Sequence, residues 1–452
     1  MKRIQLADHF TIPKIFLFAL PTIGMQLVDN TYQIADGYFI SNYISEAAFE
    51  SENLIFPPLL IVMSVGLMFG TGASALIAKE LGEGRKEKAS QLLSMIIGML
   101  VIVGILLSLL LYLLVPSVAR WVGASEATFP GCITYGRVLA FFMPFQMLSI
   151  AFHPLLITAE RPGLGLITTI SNALANILLD WVFVACFGWG MRGAAIATGL
   201  AWTLSAVIQL VYFVNPKHSL HFVPPCRDIR SLGQCLYNGA SEMVDSISYA
   251  VVAVIFNLRL LHFLGDDGVG AYAVSEYVGG LFIAVFYGIS MSIVPVVGYH
   301  LGNKNVKELQ SLRRNGLLLT GGFGVLMAVL SFSFAEQISR IFVGYNQDLT
   351  ALSMMALKII SLSFLFSGIV IYSSSYFTGL NQGGASLAIA LMQSFIGPLA
   401  MVFLLPNVFG ADGIWYAAPA AELFAILTAL VCFLRWKQRE KTGDLPEPDE
   451  TD

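Results

Sequence analysis

Long apolar runs separated by short polar stretches fill the chain from residue 13 to residue 434. A helix that crosses a bilayer needs about 20 mainly apolar residues. Twelve segments meet that length. The first six are Pro13–Phe39, Asn53–Ala78, Ser90–Val115, Thr134–Phe152, Gly163–Phe187 and Gly193–Val214. The second six are Gly233–Leu261, Val269–Tyr299, Gly316–Phe334, Leu352–Tyr372, Gly384–Leu405 and Gly413–Leu434. The pattern predicts an all-α polytopic membrane protein of twelve transmembrane helices. The connecting loops leave no room for a soluble catalytic module.

Composition agrees with that reading. Of 452 residues, 56% are hydrophobic and 12% charged, about half the charge of an ordinary soluble protein. The lipid bilayer must therefore cover most of the surface. The net charge of -4 comes with no basic domain, so no nucleic acid is expected as a partner. The five cysteines are odd in number and form no CxxC, which points to neither a disulfide framework nor a zinc site. The N-terminal stretch has no small-residue cleavage site, so the first apolar segment is expected to stay in the protein.

Lys and Arg sit mostly on one side. Nineteen of the 25, among them Lys2, Lys14, Arg85, Lys86, Arg161, Lys304, Arg314 and Arg435, fall in one set of loops and termini. The opposite set holds Arg120, Arg192, Arg259 and Arg340, and acids at Glu46, Glu50, Glu52, Asp266 and Asp267. The positive-inside bias puts both termini in the cytoplasm and the protein in the cell (inner) membrane as a multi-pass chain. Arg137 and Lys358 lie inside helices and are expected to snorkel outward.

One offset of 220 residues relates the two halves. Leu81-Gly82 falls on Leu301-Gly302, Thr158 on Thr378, and Gly190 and Gly193 on Gly410 and Gly413. Each half has six helices, so two pseudo-symmetric lobes are expected, residues 1–225 and 226–452. An even helix count per lobe gives both the same orientation, with a pseudo-twofold axis along the membrane normal and a pathway between them.

Acids inside the membrane are costly, at least about 2.5 kcal/mol each, and mark function by default. The first helix carries Asp29 and Asp36, seven residues apart and on one face. The fifth carries Asn176 and Asp180 on one face, and Thr198 lies about a turn from the outer end of the sixth. Asp36, Asn176, Asp180 and Thr198 all fall in the outer half of the first lobe. Two carboxylates, an amide oxygen and a hydroxyl suit a hard cation such as Na⁺. The pair could instead share a proton, or serve as separate structural hydrogen bonds. The second lobe does not repeat the set, since Asp36, Asn176 and Asp180 fall on Phe256, Ile396 and Ala400. Its own acids are Glu242 and Asp245 on the seventh helix, Glu276 on the eighth and Glu422 on the twelfth. Asp29, Glu242 and Asp245 are candidates for a substrate cavity, Glu242 toward its inner vestibule. Glu276 has no evident partner. Pro21 precedes Asp29 and Asp36 on the same helix and is positioned to bend it.

No HExxH, GxSxG or Walker lysine loop occurs, so an enzyme is not expected. His218 and His221 read as a solvated loop. Without an ATP site, transport is either driven by an ion gradient or passive.

The chain resembles the multidrug and toxic compound extrusion (MATE) family over nearly its whole length. The resemblance is carried by Leu20-Pro21, Asp36-Gly37, GTGASALIAKELGEGRKEKA and NANILLDWVFVACFGWGMRGAAIAT. It implies two six-helix lobes and export of small organic cations or amphipathic drugs in exchange for Na⁺ or H⁺. In the bacterial branch related to the DNA-damage-inducible transporter (DinF-like), it implies a first-lobe cation site at Asp36, Asn176, Asp180 and Thr198. Ala35-Asp36-Gly37 departs from the family's Val-Asp-Thr, and Glu242 stands where many members have an LP-type start. The function expected is therefore secondary active multidrug efflux by a monomer, with no cofactor beyond the coupling ion. The alternative is a lipid-linked precursor flippase of the same superfamily.

Overall fold

A computed structural model describes residues 4–442. The spanning helices are α1 (Ile12–Tyr43), α2 (Glu46–Gly82), α3 (Lys86–Trp121), α4 (Phe129–Thr158), α5 (Pro162–Cys186) and α6 (Gly190–Val214). One helical run of 74 residues, Ile229–Gly302, follows. It is broken at Gly265, whose φ of 66° and ψ of -159° lie outside the helical region and are open to a residue without a Cβ. The break divides the run into α7 (229–264) and α8 (266–302). The last four are α9 (Val306–Ser333), α10 (Gln347–Gly379), α11 (Gly383–Ile414) and α12 (Ala417–Thr442). Among the described residues twelve spans in two lobes result, and the pseudo-symmetric all-α fold is the one the pattern predicts.

The helices outrun the apolar segments because polar residues form their ends. Ser45 caps α2 by accepting from the Ala48 amide at 3.1 Å. Asn305 caps α9 through the Glu308 amide at 3.2 Å, so that helix begins ten residues before the predicted Gly316. Asp228 caps α7, accepting from the Ser231 hydroxyl at 2.6 Å and its amide at 3.0 Å. Those bonds hold its carboxyl below the usual carboxylate range. The twelfth helix starts later than predicted, because Gly410–Ile414 is a 3₁₀ turn. A short helix absent from the apolar pattern, Ala335–Val343, joins α9 to α10. Arg137 and Lys358 rest over the rings of Tyr112 and Phe332, at 5.1 and 5.5 Å.

The lobes meet along α2, α7, α8 and α1. A Cβ on Gly239 of α7 would overlap the Met68 carbonyl of α2, and one on Gly288 of α8 would lie 2.6 Å from Ile23 Cα of α1. Closest to the face that carries Lys86 and Lys304, α2 and α8 cross at Gly82 and Gly302. On this basic face the N-terminal segment straps the lobes together. The Leu6 amide donates to Glu160 Oε1 at 2.9 Å, while Glu308 of α9 accepts from the Phe10 amide at 2.8 Å and meets His9 Nδ1 at 2.6 Å.

Candidate functional site

The first lobe gathers its acids from separate helices toward the face opposite the basic one. Asp36 of α1, Asn176 and Asp180 of α5 and Thr198 of α6 are all buried, at most 5% exposed. Asp180 ends the α-helical part of α5, and a wider π-helical turn, Trp181–Cys186, follows at once. Such turns are frequent at functional sites. Asn176 Nδ2 donates to Thr198 Oγ1 at 3.2 Å, which turns the Asn176 carbonyl oxygen away from the hydroxyl. The Asp36 carboxyl lies in the neighbourhood of the Asp180, Glu52 and Thr198 side chains.

Two residues complete the cluster. Tyr135 of α4 donates to Asp36 Oδ2 at 3.3 Å and lies 3.4 Å from Glu52 Oε1. Glu52 was expected in an outer loop, but it stands on the second turn of α2, because that helix starts at Glu46. An apolar-length criterion drops a polar first turn, which is why the predicted helix began at Asn53. An acid one residue outside a predicted span is the signal that could have found it.

The oxygens of this cluster outnumber its donors. Asp36 Oδ1, Glu52 Oε2, Asn176 Oδ1 and both Asp180 oxygens are buried without a hydrogen-bond partner. Two carboxyls in contact bond to each other only when one holds a proton. Several carboxylates so close repel strongly at low dielectric unless a proton or a cation sits among them. Among the described residues no group of three or more His, Cys, Asp or Glu side chains is arranged to hold a metal ion. The oxygens available to a cation here are carboxyl, amide and hydroxyl, the donor types that hard cations take.

Between the lobes lies a cavity of about 430 Å³. Asp29, Tyr32, Trp202, Glu242, Asp245 and Tyr287 are on its wall. Its α2 residues are Phe56, Leu60, Met63, Ser64 and Leu67. They precede Met68, where α2 closes on α7, so the cavity lies on the far side of that contact from the basic face. Glu242 faces this central space rather than an inner vestibule. Asp245 accepts from the Tyr287 hydroxyl at 3.3 Å. The cavity and the acid cluster share α1 and α5. Asp29 and Asn172 face the cavity, and Asp36 and Asn176 lie two turns and one turn further toward the cluster.

The second lobe uses its acids differently. Glu422 accepts from Ser367 Oγ at 2.7 Å and Gln393 Nε2 at 3.1 Å, tying α10, α11 and α12 together. Glu276 does have a partner: the Tyr249 hydroxyl donates to it at 3.5 Å across the bend at Gly265. Phe256, the image of Asp36, is buried and stacks on Tyr272. His218 is not free in solvent, since its ring stacks on Tyr212 and its Nδ1 lies 2.7 Å from the Tyr212 carbonyl.

The MatE family model matches residues 21–182 and 243–402. The multidrug export protein MepA of Staphylococcus saprophyticus is 22% identical over 418 residues, 92% of this chain and 91% of that protein. MepA of Staphylococcus aureus strain MSSA476 is 23% identical over 423 residues, 92% of each chain. A crystal structure of a MATE protein in complex with MaL6 superposes with a TM-score of 0.90 at 20% identity, covering 98% of this chain and 100% of the other.

Proposed function

The chain belongs to the MatE family of membrane transporters, and from that footing we propose that it exports amphipathic organic cations by exchange with Na⁺ or H⁺ at the first-lobe acid cluster. It is a transporter and not an enzyme. The basic face, in this reading, is cytoplasmic and the membrane is the cell's inner one, as the Lys and Arg bias favours. The lobes are then closed toward the cytoplasm, and the cavity belongs to the outward-facing arm of alternating access.

The observation that carries the exchange is the set of buried, unpartnered oxygens on Asp36, Asn176 and Asp180. An arriving cation or proton relieves their repulsion, and its departure restores it. Because α1 and α5 also wall the cavity, the cost of the empty site can be coupled to whether substrate sits against Asp29. Substrate and coupling ion then compete for one lobe conformation rather than one position. The acid-lined cavity supports a cationic cargo and opposes the flippase alternative, since a lipid-linked precursor brings phosphates that Asp29, Glu242 and Asp245 would repel. Kinship with the DNA-damage-inducible branch is part of the same proposal. Ethidium efflux from proteoliposomes under an imposed Na⁺ or pH gradient tests it, because a chain without ion exchange gives equal efflux with and without either gradient.

A further inference from the structure

Glu52 is not among the residues that suggested the cation site, yet two observations attach it there. Its carboxyl shares the Tyr135 hydroxyl with that of Asp36. Its Oε2 is buried without a partner. The Tyr135 hydroxyl stands between the two acids, 3.3 Å from Asp36 Oδ2 and 3.4 Å from Glu52 Oε1. A phenol has one proton to donate, so it serves one carboxylate fully at a time.

Exposure grades along this line. Glu46 and Glu50 at the start of α2 are exposed, Glu52 is half-buried, and Asp36 and Asp180 are buried. The acids thus descend from the face opposite the basic one into the lobe. Exposed acids at a mouth concentrate cations there.

We propose that Glu52 receives the coupling cation at the mouth of the first lobe and passes it to Asp36, the Tyr135 hydroxyl turning from one carboxylate to the other as the cation moves. While the cation is at Glu52, Tyr135 donates to Asp36 and keeps that buried acid from standing bare. When the cation reaches Asp36 and Asp180, the hydroxyl turns back and satisfies Glu52. Glu52 and Asp36 therefore each have either the cation or the Tyr135 hydroxyl at each stage, with no arginine or lysine needed between them. This inference rests on the first-lobe exchange proposed above.

The test is ethidium efflux from proteoliposomes holding the full chain, with Na⁺ or pH varied on the face opposite the basic one. Glu52→Gln should raise the cation concentration for half-maximal efflux about tenfold, the scale of one lost contact to a charge. Glu52→Asp, which keeps the carboxylate, should recover most of that shift and so separates the effect from misfolding. In a Tyr135→Phe background the Glu52→Gln shift should shrink, because the two act through one hydroxyl. A Glu52→Gln protein with wild-type concentration dependence overturns the hand-off. Loss of coupled efflux at every concentration, as in Asp36→Asn, overturns it too, since Glu52 would then belong to the buried site. If Asp36→Asn itself still couples, the exchange site beneath the inference is what fails.

Discussion

Gly82 and Gly302 let the ends of α2 and α8 meet backbone to backbone. A Cβ on Gly82 would overlap the Tyr299 carbonyl, and one on Gly302 would overlap the Lys79 carbonyl. Lys79 and Tyr299 are separated by the same 220 residues as the two glycines, so one contact is the image of the other. The pseudo-twofold axis passes between them, at the basic face, where the lobes must part if the transporter is to open to that side.

Gly302→Val should therefore weaken closure of the basic face. Overpacking of this kind costs about 1–3 kcal/mol, enough to move a two-state balance about tenfold. Spin labels at the exposed Arg161 and Lys307 should show a longer distance in the variant. An unchanged distance distribution would mean that the crossing is not the seal.

The strap is a second part of that seal. Glu308→Ala removes the acceptor for the Phe10 amide and the partner of His9, and leaves a buried amide without its bond. The loss should be about 1–3 kcal/mol, read as a lower Tm and as faster proteolysis within residues 4–11. A variant with the wild-type cleavage rate would show that the segment is held by other contacts.

Orientation follows from the charge bias. Cysteines replacing the exposed Lys86 and Lys304 should resist an impermeant thiol reagent added to intact cells, and those replacing Glu50 and Asp267 should react. External labelling at either lysine position would invert the topology proposed here.

An acid-lined cavity should select cationic cargo. Expression in a pump-deficient host should raise resistance to lipophilic cations such as ethidium, and Asp29→Asn should reduce that gain. Resistance confined to anionic or neutral compounds would contradict an acid-lined substrate path.

How much of this was legible in the sequence depended on what each signal measures. Apolar length finds the hydrocarbon-crossing part of a helix and gave all twelve spans, but it is blind to polar turns that continue the helix into the interface. Glu52 was misplaced for that reason, as was the start of α9 with its capping Asn305. The offset of 220 residues located Gly82 and Gly302, because close backbone approach tolerates no side chain at either position. Spacing on a helix placed Asn176 beside Asp180 and Asp29 below Asp36. Tyr135 could not be found that way. A tyrosine on an apolar helix carries no sign of which acid it will meet, and the contact is made only when α4, packed against α2 and α6, brings that hydroxyl to Asp36 of α1. The partner of Glu276 was hidden likewise, since Tyr249 reaches it only because Gly265 folds α7 back on α8.

The measurement that bears most directly on the exchange site is gradient-driven efflux from vesicles carrying Asp36→Asn or Asp180→Asn, with insertion checked alongside. An amide keeps the size of the carboxyl but neither exchanges a proton nor balances a cation. Both variants should insert and lose ion-driven efflux, and Glu276→Gln, which alters a tyrosine hydrogen bond between α7 and α8 in the second lobe, should lose far less. Wild-type coupling in both aspartate variants would contradict the account and move the search for the cation to Glu242 and Asp245.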